Sequence, residues 1–307
     1  DTYKHVRLAL RDLDLFDYEA VKAFRYKDAP LGIHALASLS SSDPSGSTTV
    51  TRENVRTMRY FLVRSCLYSE AADRLLETRK PDLLVTVEKS FFNTCEIFYQ
   101  ALNRGIDFVQ WHGCHQPESI MLKRYTLENA RSHPFSLAPA TWERIKALPW
   151  SKEADQAAQA LFTEGYQGNK WFAYKKLNAK TEPITRQELV ARYGLEQGKP
   201  VAVLFSPILA DANLFFGTDL FKGGFKEWLV ETVVAASHNP EVNWILKLHP
   251  ANVYRRANAG YTGEYGELLA IKERFGELPD FLKIMRPEDN VNPFSLFQVV
   301  DYGLTVR

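Results

Sequence analysis

Asn243-Trp-Ile-Leu-Lys-Leu-His-Pro250 is the stretch that decides how the chain reads. Trp244, Ile245, Leu246 and Leu248 form a short, nearly continuous apolar run, the pattern of a central strand in a parallel sheet with helices on both faces. Pro250 cannot donate to a strand ladder and biases His249 toward an extended backbone. The stretch therefore predicts a buried strand that ends at His249 and delivers an imidazole to the loop beyond it. In open α/β sheets that carboxyl edge is where ligands bind. The simpler reading is that His249 only ties down its own loop. Lys247 is expected to be a solvated lysine flanking the strand, turned away from His249.

Working outward, further strands are predicted over 201–205, 281–285 and 299–307, with helices over 225–237, 263–275 and 293–298. Strand alternates with helix through the whole chain, so each half, 1–182 and 183–307, reads as a doubly wound α/β domain. Three strands of the second half end alike, at Phe205-Ser206-Pro207, Leu248-His249-Pro250 and Met285-Arg286-Pro287. One such ending is weak evidence. Three point to a shared pocket holding a hydroxyl, an imidazole and a guanidinium, a set that suits a phosphate ester; the plain alternative is that the prolines only terminate their strands. A long loop over 208–224, carrying Asp211, Asn213 and Gly217, follows the first of these strands.

Residues 1–182 form the other predicted domain. Its opening thirty residues are amphipathic and charged, and 38–50 is a Ser/Gly/Pro-rich stretch read as a flexible loop, with acceptor contact as the functional alternative. A helix capped by Thr51 runs to about 78 with Val55, Met58, Leu62 and Cys66 on its core face. A strand over 83–87, a helix over 88–103 and a strand over 106–111 make a strand–helix–strand unit, which implies parallel strands. Glu88 and His112 then leave adjacent strands at one edge. Glu88 is the first choice as general base, since desolvation in a closing cleft would raise its pKa. Its plain alternative is a helix first turn complementing the dipole. His112 is the second choice. Lys123-Arg124 is a local basic patch, read either as an acceptor or phosphate contact or as a solvated helix face. The lysine- and aromatic-rich stretch over 151–180 reads as a helical connection, and Thr185 with Glu188 forms a capping box for the next helix.

Composition narrows the function. The chain has 307 residues, 45% hydrophobic and 24% charged, with a formal net charge of +1. No basic field points to nucleic acid. No apolar run is long enough to span a bilayer, and no secretory signal opens the chain. The three cysteines, Cys66, Cys95 and Cys114, have no metal-ligand spacing and argue against a disulfide framework. A cytoplasmic setting fits, with room for peripheral attachment at the inner face of a membrane. P-loop, dinucleotide-fingerprint and nucleophile-elbow motifs are lacking. His112 and His115 lie three apart without a third ligand spaced to join them, so no metal site is expected. The chain starts without Met and stops on a strand with nothing after it, so it is expected to be an internal piece of a longer protein, whose other domains would be its partners.

Leu248-His-Pro250, Pro293-Phe-Ser-Leu-Phe297 and Val300-Asp-Tyr-Gly-Leu-Thr-Val-Arg307, with Asp1-Thr-Tyr3, Trp111-His-Gly113, Leu122-Lys-Arg-Tyr125 and His133-Pro-Phe-Ser136, resemble bacterial capsule-polysaccharide glycosyltransferases of the GT-B type. These belong with Kdo-, sialic-acid- and glycerophosphate-transferring enzymes that share a His-Pro motif. The resemblance implies two Rossmann-like domains facing across a cleft, an acceptor side over 1–182 and a nucleotide-sugar donor side over 183–307. It implies transfer from a nucleotide-activated donor, with a CMP-linked sugar favoured, to a growing surface or capsular glycan. Donor contacts would come from Ser206, Asn213, His249, Pro250, Arg286, Ser295 and Arg307, acceptor contacts from Lys123 and Arg124, and catalysis from Glu88, His112 and His249. No cofactor and no essential metal are expected. Other readings are a sugar-nucleotide epimerase or polyol-phosphate transferase on the same fold, or a non-catalytic glycan- or nucleotide-binding domain.

Overall fold

The computed structural model describes residues 2–43, 46–114, 119–168, 181–211, 214–216, 221, 224–253 and 263–306. The chain is α/β and builds two separate sheets among these residues.

The second sheet decides the architecture. It comprises β4 (Val201–Phe205), β5 (Asn243–Lys247), β6 (Leu282–Met285) and β7 (Tyr302–Leu304) in spatial order β6-β5-β4-β7, all parallel. The crossovers are α9 (Gly224–Ser237), α10 (Gly266–Phe275) and α11 (Pro293–Val299), while α8 (Arg186–Tyr193) precedes β4. Strand side chains alternate between faces. Leu204, Leu246 and Leu282 pack with Leu229, Val233, Leu268 and Ile271 of α9 and α10. Val203, Ile245 and Met285 pack with Leu189 and Leu296 of α8 and α11. Helices thus cover both faces, as continuous apolar strands require. The chain moves from β4 through β5 to β6, then returns to β7 on the other side of β4. This Rossmann-like order has its switch point between β4 and β7. The capping box of Thr185 and Glu188 starts α8 as expected.

The first sheet is smaller and mixed. β1 (Leu83–Thr86) and β2 (Asp107–Gly113) are parallel, and β3 (Ile120–Tyr125) pairs antiparallel with β2. The hairpin corrects the expected doubly wound first half, and it puts Lys123 and Arg124 on a strand rather than a helix. The sheet packs one face against α5 (Cys95–Asn103) through Phe98, Phe108 and Tyr125. Leu83, Val85, Trp111 and Leu122 alternate onto the other face and are exposed.

Helices α1 (Thr2–Ala9), α2 (Tyr18–Ala23), α3 (Leu31–Ser42) and α4 (Val55–Arg79) precede the first sheet, and α6 (Pro139–Lys146) and α7 (Lys152–Gly168) follow it. Residues 169–180 of the expected helical connection lie outside the described residues. Met58, Leu62 and Cys66 of α4 are buried as their spacing predicts. The polar stretch from Ser38 is a correction: Ser38–Ser42 belong to α3, and the helix is buried from Leu31 to Ser40. Its serines satisfy themselves locally. The Ser38 hydroxyl donates to the His34 carbonyl at 2.8 Å and the Ser40 hydroxyl to the Gly46 carbonyl at 2.9 Å. Gly46 has φ of +66° and lies so close to the Leu209 carbonyl that a Cβ would sit 2.3 Å from it.

His34 is the buried hub of this half. Its Nδ1 bonds the Ser90 carbonyl, which only accepts, so Nδ1 carries the proton. Nε2 then accepts from the Tyr99 hydroxyl at 3.4 Å, and the ring stacks on Phe215 at 5.0 Å. Burial holds the imidazole down to about 4. Above pH ~6.5 the ring is neutral folded and unfolded. Below that the unfolded chain takes a proton that the fold refuses until about pH 4, so stability falls across this window. We expect a loss on the order of 3 kcal/mol between pH 7 and 4 in denaturant titrations, flattened in His34→Phe. Equal pH dependence in both proteins would contradict this assignment.

Candidate functional site

Parallel pairing brings the ends of β4, β5 and β6 to one edge, since Phe205, Lys247 and Met285 lie in register. Ser206, His249 and Arg286 therefore leave the second sheet at the same carboxyl edge, as their sequence positions predict. Ser206 is buried. Its hydroxyl accepts the His249 backbone N–H at 3.1 Å and donates to Glu267 at 3.5 Å. Glu267 is itself buried in the first turn of α10 and accepts the Asn252 amide. Glu267 and Asn252 were not singled out from sequence. The available signal was a carboxylate at the start of an apolar helix.

His249 lies in the turn with Pro250, and its Nδ1 accepts the Ala251 N–H at 3.1 Å. An accepting Nδ1 leaves the ring proton on Nε2, so Nε2 is a donor. His133-Pro134 repeats the arrangement, with His133 Nδ1 accepting the Phe135 N–H at 3.1 Å. The His-Pro turn thus ties down its own loop and fixes the ring in the same act.

Arg286 presents a partly exposed guanidinium, but Glu264 already accepts from both of its ends at 3.0 and 3.1 Å. Ser295 serves the scaffold: its hydroxyl donates to the Asn292 carbonyl at 2.8 Å and accepts the Ile184 N–H at 3.1 Å. Asn213 and Arg307 lie outside the described residues, as does His115. Lys247 reverses the expectation of a solvated lysine, being 4% exposed. Residues two apart on a strand share a face, so the strand pattern does not turn Lys247 away from His249.

At the first sheet the β1–β2 register carries Glu88 and His112 to adjacent positions beyond Thr86 and Gln110. Glu88 does not open a helix, because α5 starts at Cys95. Instead one carboxylate oxygen accepts the N–H groups of Lys89 and Ser90, both at 2.7 Å, and shapes the turn. His112 lies on Phe135 at 5.3 Å, and its Nε2 is buried without a hydrogen-bond partner. Burial lowers the His112 pKa and the Glu88 carboxylate opposes that shift, so the two groups act on one another.

Lys89 is also buried. Its ammonium donates to the Ala130 carbonyl at 2.8 Å and lies over the rings of Tyr125, Phe98 and Phe216 at 4.6, 4.9 and 5.4 Å. The Lys123 ammonium is held by His133 and Ser136 carbonyls at 3.1 and 2.6 Å, and Arg124 pairs with Asp107. The expected basic patch is therefore two cations committed to separate structural partners.

Residues 214–216, which follow β4 in the chain, pack on the first half. Phe215 packs on His34 and on Phe91, Phe216 on His133, and Arg131 donates to the Leu214 and Phe215 carbonyls at 3.4 Å. An open depression of about 600 Å³ lined by Leu76, Lys80, Pro81 and Ile106 lies at the amino ends of β1 and β2, away from these groups. Among the described residues no His, Cys, Asp or Glu side chains are grouped in threes to hold a metal, and no helix is long and apolar enough to cross a membrane.

No known protein family, curated protein or solved structure matches this chain. The Ser206 hydroxyl is the element joining strand end, His249 and Glu267, and Ser206→Ala should cost about 1–2 kcal/mol in denaturant unfolding. A cost below about 0.3 kcal/mol would mean that Ser206 does not hold this turn.

Proposed function

We propose that this chain is a glycosyltransferase of GT-B type, moving a sugar from a nucleotide-activated donor to a growing surface or capsular polysaccharide. What supports the reading is that each sheet gathers candidate groups at one carboxyl edge, Ser206, His249 and Arg286 on one and Glu88 and His112 on the other, and that Phe215 and Phe216, which follow β4 in the chain, pack on His34 and His133 of the first half. On this reading residues 183–307 hold the donor at the carboxyl ends of β4, β5 and β6, with a CMP-linked sugar favoured. Residues 1–182 hold the glycan or glycolipid acceptor.

Each group has a defined task. Glu88 uses one oxygen on its own turn and keeps the other for the acceptor hydroxyl proton. The acceptor oxygen bonds the anomeric carbon as the bond from that carbon to the donor phosphate oxygen breaks. The His249 Nε2–H donates to the departing phosphate, an interaction that strengthens as charge develops there. Arg286 joins only by releasing Glu264. His112 is the second base because its Nε2 is buried and unpaired. The scheme uses no cofactor. Attachment at the inner face of a membrane would bring the edge bearing Glu88 to a lipid-linked acceptor.

His249→Ala should slow transfer by roughly 10²–10³, the value of one donor to developing charge in a dry site. Glu88→Gln should lose turnover with nucleotide affinity preserved. Both are read by turnover with a CMP-linked sugar and by nucleotide titration in the full-length protein. Near-normal turnover of Glu88→Gln would transfer the base role to His112. Unchanged turnover and affinity in His249→Ala would remove the glycosyltransferase reading.

A further inference from the structure

Lys247 is a buried charge that the scheme above leaves unused. It ends β5 in register between Phe205 of β4 and Met285 of β6, and is 4% exposed. Among the described residues its ammonium has no hydrogen bond or direct ion pair, and its nitrogen is not among the fully buried polar atoms that lack a partner, so the buried stem carries the charge to the surface of the edge; Asp289 attracts it from longer range. The Asp289 carboxylate already accepts the Tyr193 hydroxyl at 2.6 Å and the Arg286 N–H at 2.9 Å. Lys89 provides the internal contrast, since its buried ammonium has a carbonyl and three rings around it.

A charge carried on a side chain so largely buried, with no partner bonded to it, costs a fold stability, and an apolar side chain in its place is better tolerated. Phe205 and Met285 show that this face of the sheet accepts such residues. Lys247 also lies at the carboxyl edge, two residues before His249 and in register with the residue before Ser206. We propose that Lys247 is an anion-binding residue, its ammonium completing a phosphate site at the carboxyl edge of the second sheet. The group it takes is the phosphate of a nucleotide or other phosphate ester, or free pyrophosphate. Burial lowers the lysine to about 8 in the unliganded chain, a penalty that a bound anion relieves. The inference rests on reading this edge as a phosphate-ester site, and the experiment separates the two.

The test is thermal unfolding of the full chain with and without pyrophosphate, and in parallel with CMP. Wild type should melt higher with pyrophosphate. Lys247→Met should melt above wild type when unliganded and bind pyrophosphate about tenfold or more weakly. A Met variant that binds pyrophosphate within about twofold of wild type would overturn the proposal, as would a wild type that pyrophosphate does not stabilise. If the Met variant fails to fold, Lys247→Gln is judged by the same loss of affinity. Pyrophosphate binding that depends on Lys247, with no CMP binding to wild type, would sink the CMP-donor reading and leave the anion site standing. CMP binding indifferent to Lys247 would do the reverse.

Discussion

The buried imidazole of His34 is the constraint on which the rest depends. It is neutral, and each side of the ring is used: a proton to the Ser90 carbonyl, a lone pair to Tyr99 and a face to Phe215. Ser90 lies two residues after Glu88, so one contact fixes the turn that aims the carboxylate. Phe215 belongs to the segment that leaves the other sheet at Ser206. One side chain therefore touches both the turn beyond β1 and a residue that follows β4 in the chain. Helix α3 makes this possible because its serines return their hydroxyls to nearby carbonyls and so tolerate burial.

Much of the second sheet was legible because a parallel sheet covered on both faces writes apolar runs, and proline or glycine marks their ends. β4, β5 and β6 stand within a residue of where the runs place them. The first half was harder. Serine favours turns in isolation, so 38–42 reads as loop, yet those residues close a buried helix. β3 was hidden because Lys123 and Arg124 break its apolar alternation, and each has a partner that sequence spacing does not reveal. α5 starts seven residues later than its amphipathic pattern begins, because Glu88 and its neighbours form a turn held by side-chain oxygens.

The candidate site shows the same division. Strand ends are local, so the convergence of Ser206, His249 and Arg286 could be read from three prolines. Partners are not local: nothing near Arg286 in sequence announces Glu264, and nothing near Ser206 announces Glu267. At His249 the simpler reading holds directly: its Nδ1 serves the loop, and that bond places the ring proton on Nε2. Lys247 carried a signal that period-two reasoning should have caught, a charge inside an apolar run on the face that His249 would continue.

The central claim is that the carboxyl edge of the second sheet holds the phosphate of a nucleotide donor facing the edge that bears Glu88. The most direct measurement is a crystal structure of the full-length protein with CMP. The account predicts the phosphate within hydrogen-bonding reach of His249 Nε2, beside the turns that end β4 and β5, with open space from it toward Glu88. A nucleotide bound at the amino edge of either sheet, or with its phosphate turned away from His249, would contradict it.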